Sequence, residues 1–333
     1  MKVNEKKIDE LNLELTIEVA AADYAEIEKK KLAERRRTAE FKGFRKGMVP
    51  ASLIKRVYGE QALVESVNQV IGEALDKHIN ENKLHILGEP LASENQPPLE
   101  WADGNDFTFV FDLGLSPEVS VEVEKTDTVP TYSVTVTAKD KAPMIENLKK
   151  YYEEHKEEGK EPKTDEEIDK EVTERLKNQY KGEADWRLTK DIRDYFIQKA
   201  GVKIPEAFLK RWLVEANSGK VSAEDVEKDF PGFAEDFKWQ LVRGSLMQKW
   251  GFKVEEKDLH EQAEAFARYQ YAMYGIGNVP DEMVKEMAVN MLQDQKQVDR
   301  LYEQVEDRLV LDRIKETITL KPTKIGAAKF REL

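Results

Sequence analysis

The chain has 333 residues, no cysteine, 40% apolar and 36% charged residues, a mean hydropathy of −0.67 and a formal charge of −13. Without thiols, disulfide frameworks, thiolate metal sites and cysteine nucleophiles are excluded. No apolar run reaches the length of a membrane span and the N-terminal MKVNEKKIDE lacks the apolar core of a signal peptide, so the cytoplasm is the expected compartment. This much charge beside a sufficient apolar fraction predicts two or three domains and a helix-rich, elongated chain.

In chain order, residues 11–19 alternate apolar and polar, the period of a half-buried strand. Asp23 with Glu26 reads as a capping box opening a helix that runs to about Phe41, with a thin apolar stripe of Tyr24, Ile27 and Leu32. Next comes Phe41-Lys42-Gly43-Phe44-Arg45-Lys46-Gly47-Met48-Val49-Pro50. Two glycines free the backbone for sharp turns, and Pro50 suits the start of the following helix. The segment therefore reads as a tight loop presenting Phe44, Arg45 and Lys46 for binding. A short helix to Tyr58, stopped by Gly59, and a longer one over 60–82 follow, then strands at 84–87 and 107–115. Residues 1–115 thus predict an α+β domain with helices on one face of an antiparallel sheet.

Residues 116–138 read as an extended linker, with a strand at Thr131–Thr137, and from 139 to 325 the pattern is nearly all helical. Ile145, Leu148 and Tyr152 mark one helix; Gly159 to Lys163 is a turn; Thr164 with Glu167 caps the next, carrying Ile168, Val172 and Leu176. Further helices are expected over 185–200, after Pro205, after Ser222, from Phe233 to Trp250, and over 258–274. The loop Gly275–Pro280 then leads into a last and longest helix over 281–316, so that two long helices form a protruding arm. Thr317–Leu320 is expected to be a closing strand and residues 326–333 a loose tail.

Charge is unevenly distributed. Between Glu26 and Arg56 eleven Lys and Arg face four Glu, a local +7 that leaves the remainder at −20. Arg35, Arg36, Arg37 and Lys42 belong to this patch and adjoin the loop, which points to an anionic partner such as a phosphate backbone. Catalytic chemistry is not visible. There is no phosphate-cradling P-loop and no nucleophile elbow, and His260-Glu261 is followed by Glu264 where a zinc-protease motif needs its second histidine. No cofactor or metal is expected. A second candidate surface gathers at the arm's tip: Phe266, Tyr269, Tyr271, Met273, Tyr274, Met283, Met287 and Met291. Flexible thioethers suit surfaces that accept many apolar partners. The competing reading is core packing, favoured for Met287 and Met291 on the periodic stripe.

The run Gly43-Phe44-Arg45-Lys46-Gly47-Met48-Val49-Pro50, with Leu53-Ile54 and Tyr58-Gly59, resembles the ribosome-docking signature of trigger factor, a family of ribosome-associated bacterial chaperones. The likeness extends through Ile86–Pro90 and FTFVFDLGLSPEV, and resumes at Ala200–Trp212. It implies an ATP-independent chaperone: the 43–50 loop docks at the ribosomal exit tunnel on protein and rRNA, and the helical region cradles unfolded or nascent polypeptides. It implies no membrane partner, and leaves a homodimer off the ribosome open. The family normally carries an FKBP-like prolyl isomerase domain, yet only about 70 residues separate Pro117 from Asp185, less than a domain of about a hundred residues requires. No isomerase activity is therefore expected. The alternatives are an rRNA-binding ribosome-assembly module on a helical scaffold and a periplasmic chaperone of related architecture.

Overall fold

A computed structural model describes residues 1–155, 163–218 and 220–333, so residues 159–162 of the expected turn lie outside the described residues. The elements run β1 (Lys2–Lys7), β2 (Asn12–Val19), α1 (Ala21–Thr38), α2 (Ala51–Glu81), β3 (Ile86–Ala92), β4 (Phe107–Leu115) and β5 (Thr128–Thr135). Then come α3 (Ala138–Glu154), α4 (Asp165–Ala200), α5 (Glu206–Ala216), α6 (Ala223–Trp250), α7 (Glu256–Met273), α8 (Asp281–Met291), α9 (Gln295–Thr317), β6 (Thr319–Gly326) and α10 (Ala327–Phe330). The described chain divides into two compact units, Met1–Glu118 with Lys203–Ala234, and Val119–Val202 with Glu235–Leu333.

The first unit is a four-stranded antiparallel sheet in the order β1-β2-β4-β3. Its register pairs Leu13 with Leu113, Leu15 with Phe111 and Ile17 with Phe109, which puts these alternating apolar residues on one face. Tyr24 of α1 and Leu63, Val67, Val70, Ile71 and Ala74 of α2 cover that face. On the opposite face β1 and β2 are polar, with Lys6 on Glu14 at 3.1 Å and Lys2 on Glu18 at 3.8 Å, whereas Val110, Leu87 and Leu91 of β4 and β3 are buried. Strand β1, KVNEKK, escapes a reading of the sequence because only Val3 is apolar; its charge is what an exposed edge strand needs.

Two helical boundaries differ from expectation. Asp23 is not the cap of α1 but its third residue, where the carboxylate accepts the N–H of Ala20 at 2.9 Å. Gly59 does not stop a helix: α2 runs through it, because the buried stripe from Ile54 to Ala62 and Leu63 continues in phase and outweighs the ~1 kcal/mol cost of glycine. The unit is completed from far along the chain by α5. Its Phe208 lies on Gly114 and its Trp212 on Gly88, where an added Cβ would come within 2.6 Å of the indole. Arg211 fixes the helix beside them, bonding Asp112 at 2.7 Å and the Ala92 carbonyl at 2.9 Å.

In the second unit β5 and β6 pair in parallel from Thr128–Thr319 to Thr135–Gly326. One 36-residue helix, α4, replaces the two expected, opened by Thr164, whose hydroxyl accepts the N–H of Glu167 as the capping box requires. Its buried residues recur every fourth position, Ile168, Val172, Leu176, Tyr180, Ala184, Leu188, Ile192 and Phe196. A step of four advances about 40° around a helix of 3.6 residues per turn, so the stripe winds around α4. Its first part faces α3, β5 and α10, and its last three residues enter a core with Trp239, Val242, Leu246, Val310, Leu311 and Ile314. The helices expected on either side of Pro231 also form one, α6.

The segment 116–138 is more than a linker. Val121 and Val129 are buried in that core, and Asp127 accepts from Lys199 at 2.7 Å, from Tyr195 at 2.8 Å and from the Glu124 N–H at 2.8 Å. The tail is not loose either: Ala327 and Phe330 are buried, with Phe330 edge-on to Tyr132 and Tyr180. The long last helix is broken at Leu292–Asp294, because the Asp294 carboxylate caps α9 on the Lys296 N–H at 2.9 Å.

Candidate functional site

Between α1 and α2 the chain makes two successive turns, closed by Phe44 N–H to the Phe41 carbonyl at 3.0 Å and Met48 N–H to the Arg45 carbonyl at 2.9 Å. Gly43 (φ +93°) and Gly47 (φ +82°) stand third in each turn, the type II position that glycine takes without strain. The two turns carry Phe44, Arg45 and Lys46 outward between them, with Phe44 44% exposed. Met48, beyond the expected tip residues, is more exposed still at 68% and extends the apolar part of the tip.

The loop is tied down at its ends. Val49 is fully buried, and Phe41 meets Tyr58 of α2 edge-on at 6.2 Å. The three arginines divide between bracing and presentation. Arg36 donates from Nε to the Val49 carbonyl at 2.7 Å, while Arg35 bonds Glu65 at 3.1 Å and sits over the Tyr58 ring. Arg37, Lys42 and Arg45 enter no ion pair among the described residues, and Lys46 has only a 3.9 Å contact with Glu40. From Arg35 to Lys46, the positive charge left for a partner is thus at the tip and at Arg37.

Below the loop a cavity of about 540 Å³ runs between α1 and α2, lined by Ala25, Glu28, Leu32, Ala33, Arg36 and Ile54 among others. Burial, reinforced by the neighbouring Asp103 carboxylate, pushes the Glu28 carboxyl up. Lys55 ion-pairs with Asp103 beside it, and that hydrogen bond raises the ammonium's own affinity for its proton.

In the second unit the chain turns from α7 to α8 through a Schellman motif: Ile276 N–H bonds the Tyr271 carbonyl at 3.0 Å, Gly275 N–H the Ala272 carbonyl at 3.0 Å, and Gly275 has φ +79°. Arg268 and Asp281 close the hairpin at 2.7 Å. The eight residues singled out here divide. Phe266, Met287 and Met291 pack with Leu259, Ala263, Ala288 and Leu301 where α7, α8 and α9 meet, Met291 buried and Phe266 and Met287 half-buried. Tyr269, Met273, Tyr274 and Met283 are exposed, Tyr274 to 82%, and Tyr271 is half-buried. Ile276 and Val289 join the exposed set; both lie off the helical stripe, which was the only signal available for them. Among the described residues no cluster of metal-ligating side chains occurs, and no helix is long and apolar enough to cross a membrane.

Two family models match the chain, one described as bacterial trigger factor protein over residues 1–148, the other as probable trigger factor, C-terminal domain, over residues 184–333. Trigger factor of Francisella tularensis subsp. novicida is 33% identical over 153 residues, 46% of this chain and 34% of that protein. Trigger factor of Aliivibrio fischeri is 30% identical over 150 residues, 45% of this chain and 34% of that protein. These alignments span about a third of the relatives' length. A solved structure, described as showing promiscuous substrate recognition in folding and assembly activities of the trigger factor chaperone, superposes with a TM-score of 0.55 at 15% identity. That match covers 95% of this chain and 99% of the other, a likeness of fold.

Proposed function

The chain belongs to the trigger factor family, its two domain models leaving only residues 149–183 between them, and on that premise we propose an ATP-independent chaperone that docks at the ribosomal exit tunnel and shields apolar nascent segments. The observation that carries the docking half is the loop. Two turns hold one aromatic and two cations clear of the surface, and Arg35 and Arg36 spend their charge fixing that geometry. Phe44 and Met48 supply an apolar contact for a protein surface. Arg37, Lys42, Arg45 and Lys46 supply a salt-dependent attraction for rRNA phosphate.

The shielding half rests on the exposed Tyr269, Met273, Tyr274 and Met283 at the α7–α8 turn, with Ile276 and Val289. Contacts of this kind are individually weak and tolerate many sequences, so clients leave without nucleotide hydrolysis. The reading puts the protein in the cytoplasm with ribosomes and unfolded chains as partners. Supporting the absence of isomerase activity, the unmatched stretch is about a third of the ~100 residues a separate domain needs, and its described part is the end of α3 and the start of α4.

The test replaces Phe44, Arg45 and Lys46 by Ala. Co-sedimentation with ribosomes is expected to be lost while suppression of client aggregation without ribosomes persists; retained co-sedimentation overturns the docking assignment. Tight binding of naked rRNA together with no suppression of aggregation would favour the ribosome-assembly module instead.

A further inference from the structure

Helix α3 is held to α4 in an unusual way. None of its residues is buried; Met144, Ile145, Leu148 and Tyr152 are only half-covered. Beneath them, Ile168 and Val172 of α4 are 4% and 0% exposed. The cover is thus more exposed than what it covers. Polar ties add to this partial apolar contact: Lys141 bonds both Asp169 oxygens at 2.6 and 2.7 Å, Lys149 bonds Asp165 at 2.6 Å, and the Tyr152 hydroxyl bonds Glu171 at 3.0 Å. Pro143 further weakens α3 from within, since it has no N–H for the Lys139 carbonyl one turn back.

From this we infer that α3 is a displaceable cover over a second client-binding stripe, Ile168, Val172 and Leu176 of α4. What covers the stripe defines what fits it. The occupant is an amphipathic helical segment with apolar residues at i, i+4 and i+8, as Met144, Leu148 and Tyr152 are spaced, and with Lys or Arg set to meet Asp165 and Asp169. A client of that pattern replaces α3 group for group. The identity of the occupant as a client rests on the chaperone reading; the displacement of α3 does not.

The probe is a fluorescein-labelled synthetic peptide of residues 138–154, acetylated and amidated, added to the full chain. The expected result is saturable binding that a scrambled peptide of the same composition lacks. Lys141→Ala with Lys149→Ala, which removes both lysine ties to α4, is expected to tighten binding at least about fivefold. No binding, equal binding of the scrambled peptide, or an unchanged affinity in the double variant overturns the proposal. In the unmodified chain, α3 amides are expected to exchange at least about tenfold faster than those of Leu188–Phe196, and equal protection overturns it as well. A chain that binds the peptide yet leaves client aggregation unchanged retains the displaceable cover and refutes only the chaperone reading.

Discussion

The loop between α1 and α2 and the turn between α7 and α8 are both exposed ends of paired helices, and they are built in opposite ways. The loop presents few groups on a backbone fixed by two hydrogen-bonded turns, a buried Val49 and two bracing arginines. The turn spreads its exposed apolar groups over α7, α8 and their connection. A braced tip suits one partner of fixed geometry, because little order is lost on binding. A dispersed set of flexible apolar side chains suits partners that differ from one another. The difference predicts that mutations at the loop act sharply, and those at the turn by accumulation.

The strongest way to break that contrast is the triple substitution of Phe44, Arg45 and Lys46 by Ala. Ribosome affinity is expected to fall by more than about a hundredfold, as for a hot spot at an interface centre, with an unchanged melting temperature. Next in size is Gly114→Val. Its side chain would occupy the space of the Phe208 ring, and forcing α5 off the sheet is expected to cost roughly 2–3 kcal/mol in urea denaturation. Arg36→Ala separates bracing from presentation. It leaves the tip residues intact but frees the Val49 carbonyl, and about a tenfold loss of ribosome affinity is expected, read by titration against salt. At the turn, single substitutions such as Met273→Ser are expected to change aggregation suppression less than about twofold, with Tyr269, Met273, Tyr274 and Met283 changed together giving a several-fold loss.

The smallest effect under ordinary conditions concerns pH. Burial raises the Asp127 carboxyl, but the hydrogen bonds from Lys199, the Glu124 N–H and Tyr195 outweigh it and leave the group below the ordinary aspartate value. A depressed carboxylate stabilises the fold above its unfolded pKa of about 3.9, and that stability is lost as pH falls through the lower folded value. Asp127→Asn should therefore flatten the acid limb of the stability curve while the unmodified chain loses stability below about pH 4. Thermal melts from pH 7 to pH 2 read both.

The sequence carried the loop well because glycines at 43 and 47 have few other uses at that spacing, and the structure places each where positive φ is required. The antiparallel sheet and the helical region were equally legible from period and composition. Illegible were relations that no local pattern encodes. Strand β1 is an edge recognised only by its partner β2, and the winding stripe of α4 matches no fixed face of a helix. Val121, Val129 and Phe330 looked like linker and tail because their burial depends on elements nearly two hundred residues away or more than a hundred residues earlier. At the candidate sites, Arg35 and Arg36 read as free charge because their partners, Glu65 and the Val49 carbonyl, lie across the loop on later segments.

One consequence concerns the order in which the protein is made. Gly114 and Phe208 touch in the finished unit, but 94 positions separate them along the chain. At about 5–20 residues per second, translation leaves the sheet without its α5 cover for roughly 5–20 s. During those seconds the strip at Gly88 and Gly114 is open to any aromatic side chain that passes. A chain of this design thus passes through part of its own synthesis with that strip uncovered.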